Sequence, residues 1–169
     1  MAWILGLVVL GTVLGAGDWY MRMQEMDRLL DAVERSERAM EASQDGFRAI
    51  LEEAPERPTN AQRRQVREGY AEVAAGAAAD VIDTQDRVAS VSILPWHRKL
   101  SAAQNRYLDH SESWADYYKD LARDVDEFRG QRPEITATFR IAVRALRNAV
   151  PNPHPWGKFK RRINAIAAE

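Results

Sequence analysis

The chain opens with a long apolar stretch. Residues 2–17 carry no charged side chain, and Thr12 is their only polar residue. These sixteen residues would span roughly 24 Å as a helix, somewhat less than the ~30 Å hydrocarbon core of a bilayer. The residues at 19–21 extend the stretch and are of the aromatic and apolar types found at membrane interfaces. The pattern predicts a transmembrane anchor over residues 1–21.

Two other interpretations of this stretch compete with the anchor. A signal peptide has an apolar segment of this size, but the positively charged segment that begins one is missing here. A buried core helix would need apolar cover on all sides. Arginines follow the stretch at Arg22, Arg28 and Arg35, and none precedes it. By the positive-inside rule this favours a single-pass plasma-membrane protein with a cytoplasmic body, although the sequence leaves the orientation open.

Two glycines inside the stretch suggest a contact between membrane helices. Gly11 and Gly15 have the spacing of the GxxxG motif, which lets two such helices approach closely. They are therefore candidate contacts of a homodimer. The competing interpretation is a monomer, because glycine is common in membrane helices for other reasons.

The rest of the chain has the apolar spacing of helices. The first segment, from Asp18 to Glu53, carries a seam typical of a coiled coil. The residues of this seam are Trp19, Met23, Met26, Leu30, Val33, Glu37, Met40, Gln44, Phe47 and Leu51. Prolines at Pro55, Pro95 and Pro133 mark the boundaries of later helices. We predict an all-α fold: an N-terminal transmembrane helix, an antiparallel up-down bundle of about four helices over residues 22–150, and a short basic amphipathic helix.

The C-terminal residues 151–169 form a separate predicted unit. Three prolines within residues 151–155 predict a stiff, extended linker. After the linker, Phe159, Ile163 and Ile166 fall on one side of a short helix, and basic residues fall on the other. We therefore predict a Pro-rich linker followed by a basic amphipathic tail.

Charge and composition narrow the function classes. The chain has 24 Lys and Arg against 25 Asp and Glu, a net charge of −1, which argues against a nucleic-acid binder. Residues 1–129 carry a net −7 and residues 130–169 a net +6, so the C-terminal part is expected to have an acidic or lipid partner. The absence of cysteine excludes disulfides, thiolate metal sites and a cysteine nucleophile.

The predicted topology brings two basic clusters toward the membrane. The first helix leaves the anchor and the second returns, so the turn at residues 94–99 should lie near the bilayer. The tail could reach the same surface through its linker. We predict that these clusters contact lipid headgroups or an acidic partner through Trp96, His97, Arg98 and Lys99, and through Trp156, Lys158, Phe159, Lys160, Arg161 and Arg162.

No catalytic, cofactor or metal site is predicted. None of the three histidines has the glutamate three residues earlier that a di-iron bundle needs. His110 lies near Asp109, Glu112 and Asp116, which we interpret as a solvated face. Its spacing to Trp114 predicts aromatic packing with a partly exposed histidine rather than a ligand pocket.

A row of arginines on the predicted fourth helix allows two interpretations. Arg140, Arg144 and Arg147 line one face. Such a row most often pairs with acidic neighbours of the bundle, and the alternative is a phosphate or an acidic partner.

The sequence therefore predicts a membrane-anchored helical bundle that binds lipid or an unidentified protein without catalysis. The alternative is an extracytoplasmic helical protein of the cell envelope, of phage lysis (spanin-like) or of a sensor input. The two differ in the side of the membrane on which the body lies.

Overall fold

The computed structural model is all-helical. It describes residues 2–125, 133–152 and 157–168, with side chains from Gly15 onward. Its helices are α1 (Ala2–Glu53), α2 (Asn60–Ala89), α3 (Arg98–Arg123), α4 (Pro133–Ala149) and α5 (Lys158–Ile166). The predicted all-α class, with long helices and a short C-terminal one, is confirmed.

The long helices pack in chain order and in antiparallel pairs. The rings of Phe47 and Tyr70 lie 5.3 Å apart. Further along the same pair of helices, the hydroxyls of Ser36 and Thr84 lie 3.2 Å apart. Residue numbers rise in α2 as they fall in α1, so the two helices are antiparallel. In the same way α2 packs on α3 and α3 on α4.

The short helix α5 closes the bundle. It packs against both α1 and α4, so it fills the space between the first and last long helices. Its Phe159, Ile163 and Ile166 are 1%, 0% and 1% exposed and belong to the main core. Burying each of these side chains stabilises the fold by about 2 kcal/mol. The amphipathic helix predicted within residues 151–169 is therefore present, but the bundle covers its apolar face.

Small residues bring α1 and α2 close together. Ala74, Ala77 and Ala78 of α2 are buried. A Cβ atom at Gly46 of α1 would lie only 3.2 Å from Val73 Cγ1, a distance tighter than ordinary contact. The alanine-rich part of α2 thus serves close helix packing.

Two helix starts have clear local causes. Thr59 caps α2. Its hydroxyl accepts a hydrogen bond from the backbone amide of Gln62, and the side-chain oxygen of Gln62 accepts one from the backbone amide of Thr59. Gly157 precedes α5 with a φ of 66°, a left-handed conformation that favours glycine.

The buried side of α1 differs from the predicted seam. Met26, Leu30, Val33 and Met40 are buried as expected, whereas Gln44 and Leu51 are exposed. Several unpredicted α1 residues are buried instead: Glu25, Leu29, Ala32, Ser36 and Ser43. The physical reason is that α1 contacts α2, α3 and α5, so its buried side is wider than a two-helix seam.

The structure does not support the predicted anchor over residues 1–21. No helix of the chain, so far as its residues are described, is long and apolar enough to cross a bilayer. The burial and contacts of residues 1–14, including those of Gly11, lie outside the described part. The backbone of α1 runs unbroken from Ala2 to Glu53. Gly15 is exposed and has no neighbouring atom within 4 Å of a Cβ position, so its predicted dimer contact stays a prediction.

Candidate functional site

The turn between α2 and α3 is held to α1 by a buried histidine. The His97 side chain is 0% exposed, because it inserts between two α1 carboxylates. Its Nδ1 contacts the carboxylate of Glu25, and its Nε2 lies 2.9 Å from Asp18 Oδ1. An imidazolium ring donates hydrogen bonds from both nitrogens, so its charged form satisfies both carboxylates. We call Asp18, Glu25 and His97 the histidine cluster.

The two carboxylates of the histidine cluster also hold other parts of the turn. Glu25 Oε1 accepts a hydrogen bond from the backbone amide of Leu94 at 3.0 Å. Asp18 Oδ1 accepts one from Trp96 Nε1 at 2.9 Å. The hydrogen bond from His97, with that from Trp96, lowers the pKa of Asp18. The start of α3 is therefore fixed against the part of α1 that follows the apolar stretch.

An open groove lies beside the histidine cluster. It has a volume of about 360 Å³ and lies between the start of α3 and the C-terminal end of α4. Its cationic walls come from Arg22, Arg98 and Lys99. Arg22 pairs with Asp18 at 2.9 Å, whereas Arg98 and Lys99 are exposed and have no ion pair with any described residue. This basal groove therefore suits an anion such as a phosphate.

Exposed aromatic and apolar residues lie at the same end of the bundle as the basal groove, and one of them, Trp96, lines it. Trp96 and Tyr20 are both 58% exposed, and Met21 is 40% exposed. Tyr20 and Met21 follow the apolar residues 2–17 on α1, after Asp18 and Trp19. Amphipathic aromatic residues beside cationic ones are typical of a membrane interface.

Two of the four basic residues of α5, Lys158 and Arg162, face α1 rather than a surface partner. Asp27, Asp31 and Glu34 form an acidic stripe along α1. Arg162 donates hydrogen bonds of 2.6 Å to each of these three carboxylates. The hydrogen bond to Glu34 contributes most to raising the pKa of Arg162, so its charge is secure. Lys158 Nζ adds a 2.8 Å contact to Asp27.

The predicted contact residues therefore fall into separate groups. His97 and Phe159 are buried and offer no contact surface. Lys158 and Arg162 are engaged by the acidic stripe. Trp156 lies outside the described residues. The exposed members are Trp96, Arg98, Lys99, Lys160 and Arg161.

The sequence interpretation missed the partners of these residues. The acidic stripe has the i, i+4, i+7 spacing of one helix face, which could have been matched to Lys158 and Arg162 at i and i+4. Asp18 and Glu25 are two helical turns apart and so share a face, but nothing in their spacing indicates a histidine from the α2–α3 turn.

His110 occupies the interface of α3 and α4 instead of a solvated face. It is 2% exposed, with its Nδ1 3.1 Å from Thr138 Oγ1 and its ring 5.1 Å from that of Phe139. Burial lowers its pKa to about 4, so the ring is neutral. Within the described residues, no group of His, Asp and Glu side chains could hold a metal ion.

Comparison with known proteins finds no relative of the chain. No protein-family model matches the chain, and no curated protein or solved structure is significantly similar to it. The function is therefore inferred from the geometry of the site.

Proposed function

We propose that the chain is a single-pass, membrane-anchored helical bundle, a non-catalytic interaction or scaffold module whose basal groove faces the lipid headgroups. One observation carries the proposal. Arg22, Arg98, Lys99 and the exposed Trp96 gather at the end of the bundle where α1 continues into the apolar residues 2–17.

The energetics favour this arrangement at an anionic membrane surface. Each Lys or Arg near such a surface contributes about 1 kcal/mol of attraction. The three cations beside the basal groove therefore contribute a modest part of the membrane-binding free energy, and insertion of the apolar residues 2–17 contributes most of it. Cations on this side of the anchor also favour a cytoplasmic body.

Cell fractionation tests the proposed anchor. We expect the full chain to stay with carbonate-washed membranes, and the variant Val8→Arg with Val9→Arg to move to the supernatant, because two charges in the apolar stretch oppose insertion. The matched control is Ala75→Arg with Ala79→Arg, two exposed positions of α2, which should leave the chain with the membranes. Wild-type chain in the supernatant would contradict the proposal.

Cysteine labelling separates the proposal from its alternative. The chain contains no cysteine, so Gln44→Cys provides one exposed thiol and Ser43→Cys a buried control. With an impermeant maleimide, we expect Cys at position 44 to react only after lysis and Cys at position 43 only after denaturation. Reaction at position 44 in intact cells would favour the extracytoplasmic envelope, phage-lysis or sensor-input alternative.

A further inference from the structure

The outer face of α4 carries three cations that form no ion pair with any residue that the structure describes. Arg140, Arg144 and Arg147 are exposed, and we call them the basic ridge. The expected pairing with acidic neighbours of the bundle is not observed among the described residues. Arg140 and Arg144 form no hydrogen bond or ion pair with any of them, and Arg147 reaches only the amide oxygen of Asn164, at 3.1 Å.

Local sequence explains why the basic ridge differs from other arginines of the chain. Arg48, Arg87 and Arg106 each pair with an aspartate three or four residues away on the same helix. In α4 the only acidic residue is Glu134, which lies six residues before Arg140. The ridge therefore has no carboxylate at the helical spacings that allow a local pair.

An exposed apolar residue lies beside the basic ridge, and a further cation on α5 extends it. Ile141 lies between the first two arginines in sequence and is 49% exposed. On α5, Lys160 is exposed one turn before Asn164, the residue that Arg147 contacts, and it pairs with no described carboxylate. The face thus presents a row of cations beside a large exposed aliphatic side chain.

The contact between α1 and α5 shows what such a row can bind. There, carboxylates at i, i+4 and i+7 of one helix hold the cations of another. The basic ridge repeats this spacing with the opposite charge. We propose that the ridge is the docking face for an acidic amphipathic helix of a partner protein, with carboxylates at i, i+4 and i+7 and an apolar residue against Ile141.

The direction of the ridge favours a protein over a lipid surface. The C-terminal end of α4 lines the basal groove, and α4 runs away from it along the bundle. A bilayer at the basal end would meet Arg147 first and leave Arg140 about 10 Å further away. A helix lying along α4 would contact all three arginines at once. The basic ridge is separate from the basal groove, so a partner could dock on the ridge even if the groove binds nothing.

A binding measurement with a defined probe tests the docking face. The probe is a dye-labelled helical peptide with glutamates at i, i+4 and i+7 and leucines beside them, and glutamine replaces the glutamates in the control peptide. Fluorescence anisotropy is measured with the full chain in a nonionic detergent. We expect Arg140→Glu with Arg144→Glu to weaken binding of the acidic peptide at least tenfold. The matched control, Arg63→Glu with Arg64→Glu on α2, has the same charge change and should alter binding no more than twofold.

Three results would overturn the docking proposal. The first is an equal loss of binding in both double variants, and the second is equal binding of the glutamine peptide. The third is ridge-dependent binding to anionic phospholipid vesicles or duplex DNA when the acidic peptide does not bind. Arg140→Gln with Arg144→Gln provides a gentler variant, and thermal melting of all variants checks that the bundle is intact.

Discussion

Two buried tyrosines of α3 show how a single polar atom changes the stability of this bundle. Tyr107 is 0% exposed, and its hydroxyl donates a 2.6 Å hydrogen bond to Glu37 Oε1. Tyr118 is 1% exposed, and its buried hydroxyl has no hydrogen-bond partner among the residues that the structure describes. Its ring lies 5.1 Å from that of Trp114, in a stacked arrangement. The ring of Tyr118 therefore contributes packing, while its hydroxyl only loses hydration.

Removing each hydroxyl should change stability in opposite directions. We expect Tyr118→Phe to raise the free energy of unfolding by about 1 kcal/mol, because an unsatisfied buried hydroxyl is lost. Tyr107→Phe should lower it by about 1 kcal/mol or more, because a hydrogen bond to a carboxylate is lost. Chemical denaturation of both variants beside the wild type measures the difference. Destabilisation of similar size by both variants would argue against this account of Tyr118.

His110 should make the bundle sensitive to acid. Its pKa is about 4 in the folded chain and near 6.5 when unfolded, so only the unfolded chain gains a proton between these values. Stability is therefore lost as the pH falls from 6.5 to 4, by about 3 kcal/mol at ~1.4 kcal/mol per pH unit. The readout is the wild-type unfolding free energy minus that of His110→Asn at each pH, which cancels the other titrating groups. A difference that does not vary with pH would refute the prediction.

At the scale of single residues, the sequence predicts which residues are neighbours along a helix better than it predicts which side chains are buried. The aromatic environment predicted for His110 is present, but the rings that the structure places beside it are those of Tyr107, on the same helix, and Phe139. The spacing of His110 and Trp114 cannot indicate that Thr138 and Phe139 of α4 cover the imidazole, because that depends on how two helices are rotated against each other. The partly exposed histidine expected from the spacing is for this reason wrong.

Charged contacts as well as apolar burial hold α5 against α1. Arg162 is 17% exposed at its side chain and contacts all three residues of the acidic stripe, whereas the side chain of Lys158 is 50% exposed. Both cations face α1, but only Arg162 is largely buried and hydrogen-bonded to several carboxylates. The two residues thus form a natural pair for comparison.

Arg162→Ala should destabilise the chain, and Lys158→Ala should not. We expect a loss of about 2 kcal/mol for Arg162→Ala, because charged hydrogen bonds in a partly buried site are lost. For Lys158→Ala we expect a change within about 0.5 kcal/mol, as is usual for exposed ion pairs. Denaturation at low and at 1 M salt gives both values, and the difference between variants should shrink in high salt. Equal effects of the two substitutions would contradict the assignment.

Helix boundaries are the feature that the sequence predicts best. Pro133 is the first residue of α4, and Pro55 and Pro95 lie between helices as expected, because proline acts on the backbone within a few residues. The width of the buried side of α1 is not predictable in this way. It depends on α5, which approaches from the other end of the sequence.

On the scale of the whole molecule, the lengths of the helices determine which residues meet at the basal end. Because α1 and α2 are antiparallel, the turn at residues 94–99 lies against Asp18, next to the apolar residues 2–17 of α1. That this end faces a bilayer remains a proposal. The covered position of α5 could not be predicted, because an amphipathic basic helix is equally suited to a membrane and to an acidic stripe.

The contacts of Arg162 have a further consequence for the order in which the protein assembles. Arg162 and Glu34 are 128 residues apart in the chain. At about 5–20 residues per second, a ribosome adds that many residues in a time on the order of ten seconds. Throughout this interval Glu34 has left the peptidyl-transferase centre while Arg162 has not yet been added. The bundle therefore closes only after translation of its final helix, and until then the acidic stripe is open to chaperones and other nascent chains.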